Sequence, residues 1–276
     1  TVPIYLAHKP SKKTGRINGI NYQQKVLDYL KTGNAYQVEI LRKNSKYYIH
    51  VAIEEETPVP YNPKGIIGVD TNPDGLGIAH ADYLGQYRGS LWLGESEWTY
   101  ARSNRRENLI GETAKKVVLI AKEKGAAIAI EGLKFKNDKS VTTKCNRMSH
   151  GFVWSSFLKH LNRCAARAGV PVVEVKPAFT SMIGILKYQH MYGLSAHESA
   201  GYVIARRGLG INHERVPKDL LDKLVKKNQE FKQISNWKQW SAVKKAALAK
   251  FTKLTKRQVK SLVSWQVYRK EVLGLG

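Results

Sequence analysis

Two apolar, strand-like runs in this chain each close on a carboxylate: GIIGVD ends at Asp70 and AAIAIE ends at Glu131. About 60 residues of hairpin-like and then helix-like sequence separate them. One strand-ending acid is commonly a cap or a turn residue. Two, delivered by strands of one sheet, give paired carboxylates of the kind that hold divalent ions for phosphodiester chemistry. The pairing therefore directs attention to nucleic-acid substrates.

The charge points the same way. With 46 Lys and Arg against 22 Asp and Glu, the 276 residues carry a formal +24, and the sequence pI is near 9.9. Such a field favours a polyanionic partner. A membrane partner is disfavoured: mean hydropathy is −0.40, no apolar stretch approaches the roughly 20 residues of a spanning helix, and no basic-then-apolar leader opens the chain. A soluble, cytoplasmic protein is expected. The 42% of hydrophobic residues suffices for a sizeable core. Cys145 and Cys164, with His150 and His160, give C-x4-H-x9-H-x3-C, which is no recognised zinc spacing, so no zinc site is expected and a reducing compartment fits.

Three regions follow from the pattern of elements. Residues 1–63 carry a helical stretch around Tyr22 to Lys31 and two strands, AYQVEILRK and KYYIHVAIEE, joined by an Asn-Ser turn and ended by TPVPYNP. This reads as a small β-rich module. Because it opens at Thr1 in what looks like mid-domain sequence, a trimmed or processed form of a longer chain is expected. Residues 64–215 read as three strands (66–70, 76–81, 87–93), a helix over 103–124, a strand into Glu131, a basic loop, a helix over 152–168, a strand at 171–175 and a helix opening near Ser195. That order predicts an α/β fold, an RNase H-like mixed five-stranded sheet with helices on both faces. Residues 216–276 alternate Lys with Trp237, Trp240, Lys244, Lys245, Lys250, Phe251, Lys253, Lys256, Arg257 and Trp265. They are expected to form basic helices that either cover the core or contact nucleic acid.

A third ligand should come from the helix after the fifth strand, which starts Ser195-Ala-His-Glu198. Ser195 and Glu198 have capping-box spacing, which gives Glu198 a structural task and leaves His197 the freer group. His197 shares a helical face with Ala200, Gly201 and Ile204. Small residues there let the helix approach the sheet and aim His197 at the strand ends, while the positive helix start keeps the ring neutral, as a metal ligand must be. His197 is the expected third ligand and Glu198 the alternative. Arg206 and Arg207 follow on the same helix, with a phosphate-facing role expected for at least one.

At this level the residues carry a resemblance. GIIGVDTNPDGLGIAHADYLGQ, NRRENLIG, IAIEGLKF, NRMSHGFVWSSFLKHLNRCAARAGVPVVEVKPAFTS and LSAHESAGYVIARRGLG, in this order, resemble the RuvC-like core of TnpB proteins. These are RNA-guided DNA endonucleases of bacterial insertion sequences, related to type V CRISPR effectors. The resemblance covers roughly residues 64–210, and PAFTS after a strand is its most family-specific fragment. It implies that Asp70 and Glu131 are the first and second catalytic carboxylates and that the first region is the end of a wedge domain holding guide RNA. Two features depart from the family. His197 stands where an Asp followed by Asn-Ala-Ala is usual, and MIGILKYQHMYG replaces the four-cysteine zinc ribbon, which suggests a divergent branch of TnpB-related or transposase accessory proteins.

The resemblance further implies Mg²⁺ or Mn²⁺ held by Asp70, Glu131 and His197, a guide RNA and a DNA target. Arg102, Arg105, Arg106, Lys134 and Lys136 flank the strand ends and are expected to contact nucleic-acid strands. Two alternatives stay open: a nuclease-inactive, RNA-guided DNA-binding regulator, consistent with the lost third acid, and a strand-transfer transposase. The oligomeric state is not legible.

Overall fold

The computed structural model describes residues 21–98, 100–133, 141–218, 220 and 235–250. Contacts divide the chain into two compact units, one ending at Glu56 and the other beginning at Thr57. In the first, helix α1 (Tyr22–Lys31) is capped by Asn21, whose side chain accepts from the Gln24 amide. Strands β1 (Gln37–Lys43) and β2 (Lys46–Ala52) pair antiparallel. Asn44 and Ser45 turn the hairpin with φ of 51° and 58°, the left-handed pair that matches the twist of the strands.

The second unit is built on a five-stranded sheet of β3 (Gly65–Asn72), β4 (Gly75–Asp82), β5 (Tyr87–Gly94), β6 (Ala126–Glu131) and β7 (Val172–Val175). Its order is β5-β4-β3-β6-β7. The first three strands form an antiparallel meander, and β6 and β7 add parallel to β3. Helices α2 (Ser103–Glu123) and α3 (Val141–Ala168) supply the crossovers. Mixed pairing in this order is the RNase H-like arrangement the sequence predicts. Residues 57–63 belong to this unit: the Tyr61 hydroxyl donates to the Ala126 carbonyl at 2.8 Å.

Strand alternation sorts the core into two layers. Ile67, Val69, Leu76, Ile78, Ile128 and Ile130 pack against α2 and α3. The opposite face presents Ala79, Ala81, Ala127 and Ala129 to helix α6 (Ala196–Gly208). Gly68 and Gly77 bring that helix to backbone contact, since a Cβ on Gly68 would lie 2.0 Å from the Gly201 carbonyl oxygen and one on Gly77 would lie 2.4 Å from that of His197.

Two segments differ from expectation. The basic loop before α3 is shorter than predicted, because helix already runs from Val141; no proline or paired glycine interrupts residues 141–150. Between β7 and α6 the chain is helical, with α4 (Thr180–Ile183), a π-helical turn (Gly184–Gln189) and α5 (His190–Tyr192). From the third region, helix α7 (Asn236–Lys250) buries Trp240 and Val243 with Val216 and Leu220 in the α6-side core, so its described part covers the core. Phe251, Lys253, Lys256, Arg257 and Trp265 lie outside the described residues.

Candidate active site

The parallel pairing of β3 with β6 stops at Val69 and Ile130 and so places Asp70, two residues before the end of β3, next to Glu131 at the end of β6. Period-two alternation along Ile66, Gly68, Asp70 and Ala127, Ala129, Glu131 puts both carboxylates on the α6 side. They are 6% and 9% exposed. Each is held through one oxygen. Asp70 Oδ2 accepts from Asn72 Nδ2 at 2.8 Å and lies 3.2 Å from His197 Nδ1. Glu131 Oε1 accepts from the Thr180 hydroxyl at 2.5 Å. Asp70 Oδ1 and Glu131 Oε2 take no hydrogen bond from the described residues.

The pairing also fixes the imidazole. A carboxylate only accepts, so it is Nδ1 of His197 that donates in this pair, leaving Nε2 on the far side of the ring. The ring stacks on Trp92, centroids 5.0 Å apart at 29°. Trp92 faces Gly77 across β4 and β5, and Gly75 leaves space for its indole, where a Cβ would meet it at 2.7 Å. The helix start is closed by the expected capping box: Ser195 accepts from the Glu198 amide, and Glu198 Oε2 accepts from the Ser195 amide. Glu198 Oε1 takes the Ser90 hydroxyl at 2.9 Å, so both oxygens have structural partners.

Burial pushes the Glu131 carboxyl up to about 7; the Thr180 hydrogen bond opposes the rise, and the charge of Asp70 adds to it. The charge of Arg207 also opposes the rise, and burial outweighs both opposing effects, so the carboxyl holds its proton to a higher pH than an exposed glutamate does. A hard divalent cation, which prefers carboxylate oxygens, suits the two undonated oxygens. His197 is engaged with Asp70, and no group of three or more His, Cys, Asp and Glu side chains among the described residues is arranged to hold a metal ion. The residues thus fit a cation on the carboxylate pair.

The basic residues divide. Arg102, at the N-cap of α2, is exposed and unpaired among the described residues. Arg105 binds Glu97 at 2.5 Å and Arg106 donates to the Ala101 carbonyl at 2.8 Å. Lys134 and Lys136 lie outside the described residues. Arg206 and Arg207 face inward. Arg206 donates to Glu214 at 2.5 Å and to the Gly85 carbonyl at 2.8 Å, while Arg207 bonds the carbonyls of Lys176 and Ala178. Instead of the expected phosphate contact, both guanidiniums tie loops to α6. Buried Glu214 collects donors from Lys187, Tyr188 and Arg206, which outweigh its burial and hold its carboxyl below the ordinary range.

Asn72, Trp92 and Thr180 join the site without having been singled out in the sequence. Asn72 had a local signal, because it lies two residues past Asp70 on the same strand face. Thr180 lies in PAFTS, the most family-specific fragment of the resemblance, but nothing local assigns it a role, because its partner Glu131 is 49 residues away.

No family model matches the chain, and no curated protein matches it. Among solved structures, Thermus thermophilus RuvC in complex with a Holliday junction substrate is similar over 53% of this chain and 96% of that chain, at 16% identity and a TM-score of 0.38. A second T. thermophilus RuvC structure is similar over 51% of this chain and 90% of that one, at 17% identity and a TM-score of 0.36.

Proposed function

We propose that the chain is a divalent-metal-dependent DNA endonuclease that works with a guide RNA at the nucleoid of a prokaryote or mobile element. The observation that carries this reading is the buried pair Asp70 and Glu131, each with one oxygen fixed by a protein donor and one left undonated. The two free oxygens would hold Mg²⁺ or Mn²⁺, and His197 would contribute through Nε2. When bound, the ion supplies a Lewis acid that activates water and stabilises the leaving oxygen of a phosphodiester. Asp70 keeps its orientation through Asn72, Glu131 keeps its orientation through Thr180, and Trp92 holds the imidazole plane. Target choice by pairing with RNA, rather than by side chains, is consistent with a site that offers few free cations among its described residues.

The test combines sequencing of RNA that co-purifies from the native locus with a Mg²⁺-dependent cleavage assay. A discrete RNA and DNA cleavage reduced on the order of 10³-fold or more by Asp70→Ala are the expected results. Cleavage that survives Asp70→Ala removes the site assignment. The engagement of His197 Nδ1 with Asp70 favours a second reading, an RNA-guided DNA-binding regulator without cleavage. Tight nucleic-acid binding with no cleavage under any guide, in both the unaltered chain and Asp70→Ala, selects it.

A further inference from the structure

Thr180 is 3% exposed and opens α4 immediately after the turn that follows β7. Its hydroxyl lies 2.5 Å from Glu131 Oε1 and 3.1 Å from the Pro177 carbonyl oxygen. One hydroxyl proton serves one acceptor well, and an ionised carboxylate is the stronger of the two.

The hydroxyl is held in place from three directions. Arg207, on α6, bonds the carbonyls of Lys176 and Ala178 and so clamps the turn on both sides of Pro177. Phe179 sits at φ 66°, a left-handed conformation that a bulky residue adopts only when its surroundings enforce it. Those surroundings come from α7: the Trp237 ring meets Phe179 edge-on at 4.8 Å, and the Lys244 ammonium lies 5.7 Å from the ring centroid. Behind Thr180 the chain cannot move inward, because Gly184 already touches α6; a Cβ there would be 2.7 Å from the Ala200 amide nitrogen.

A glutamate at a strand end has three rotatable bonds and can offer either oxygen. A donor fixed to the fold removes that freedom on one side. We propose that Thr180 is a positioning residue that holds Glu131 Oε1 and thereby presents Oε2 to a divalent cation, an inference that rests on the metal-dependent reading above. Hydrogen bonds of this kind to ligating carboxylates contribute about 10- to 100-fold to metal affinity.

The test is Mn²⁺ binding to the full chain without nucleic acid, followed by the electron paramagnetic resonance of free Mn²⁺. Thr180→Val, Thr180→Ser and Asp70→Asn are compared with the unaltered protein, and thermal melts are run alongside. Thr180→Val is expected to weaken binding by about tenfold while melting close to the unaltered chain, and Thr180→Ser, which restores the hydroxyl, to recover most of the loss. Undiminished binding by Thr180→Val overturns the proposal, as does a Thr180→Ser protein that melts normally yet binds as weakly as Thr180→Val. The two readings separate cleanly. Binding lost in Asp70→Asn but unchanged in Thr180→Val overturns the role of Thr180 alone, whereas no Mn²⁺ binding by the unaltered chain overturns the metal site and this inference together.

Discussion

Glu131 is the residue on which the site's electrostatics turn. An ordinary glutamate loses its proton near 4.5, and burial holds this one to about 7. Between those values the folded chain binds more protons than the unfolded chain, so stability falls as pH rises through that window and the loss is complete above it. The window corresponds to roughly 3 kcal/mol. Glu131→Gln keeps the shape and the oxygen that receives Thr180, and removes the titration. In urea unfolding without metal at pH 5 and pH 8, the unaltered protein is expected to lose about that much stability, and Glu131→Gln far less. Equal losses would assign the effect to other groups. At this scale the sequence was informative where chemistry is local: Asp70 and Glu131 were legible as acids closing apolar runs, although β3 continues to Asn72, and the structure brings His197 beside Asp70. Thr180 and Arg207 were not legible, because their roles depend on where distant backbone carbonyls and carboxylates come to lie.

The element that assembles these residues is α6, and its closeness to the sheet has a sequence cause. In β3, β4 and β6, Ile67, Val69, Leu76, Ile78, Ile128 and Ile130 face α2 and α3, while Gly68, Gly77, Ala79, Ala81, Ala127 and Ala129 face α6, with Ile66 the large residue on that side. The small residues of α6 were legible as a close-packing face; the matching small residues of the strands complete the contact. Gly68→Ala would drive a methyl group into backbone atoms of Gly201 and Ala205 that have no flexible end to yield. We expect a loss of about 3 kcal/mol or more in urea unfolding, or no folded protein. Gly111→Ala supplies the contrast. Its Cβ would lie 3.4 Å from His160, in the middle of α2, and a gain of about 0.5–1 kcal/mol is expected from helix propensity. The helical segment between β7 and α6 escaped the sequence reading because its order depends on tertiary contacts, namely Glu214 with Lys187 and Tyr188 and Gly184 against α6.

For the molecule as a whole, the formal +24 is unevenly usable. Arg206, Arg207 and Lys187 are engaged inside the fold, and Arg105 is paired at the surface. Nucleic-acid binding should still be dominated by counterion release, with DNA affinity falling on the order of 10³-fold between 50 and 200 mM salt if about six phosphates are contacted. A filter-binding titration that shows less than about a tenfold fall would point to a contact surface poor in free cations. The fold class was legible at this scale because five strands and their connecting helices follow one another in a distinctive order. The described part of the C-terminal region was legible only as two alternatives, and buried Trp240 decides for core cover. The backbone contact between α6 and the sheet carries a last consequence, for motion. At Gly68 and Gly77, which touch the carbonyls of Gly201 and His197, helix and strands meet backbone to backbone, and elsewhere the side chains between them are mostly single methyl groups with little room to absorb a sliding movement. The amides of β3 and α6 should therefore exchange with solvent only when the whole unit opens. The floor beneath Asp70 and Glu131 would then be the slowest-exchanging part of the protein, and any movement needed to admit a substrate would have to come from the segments around it.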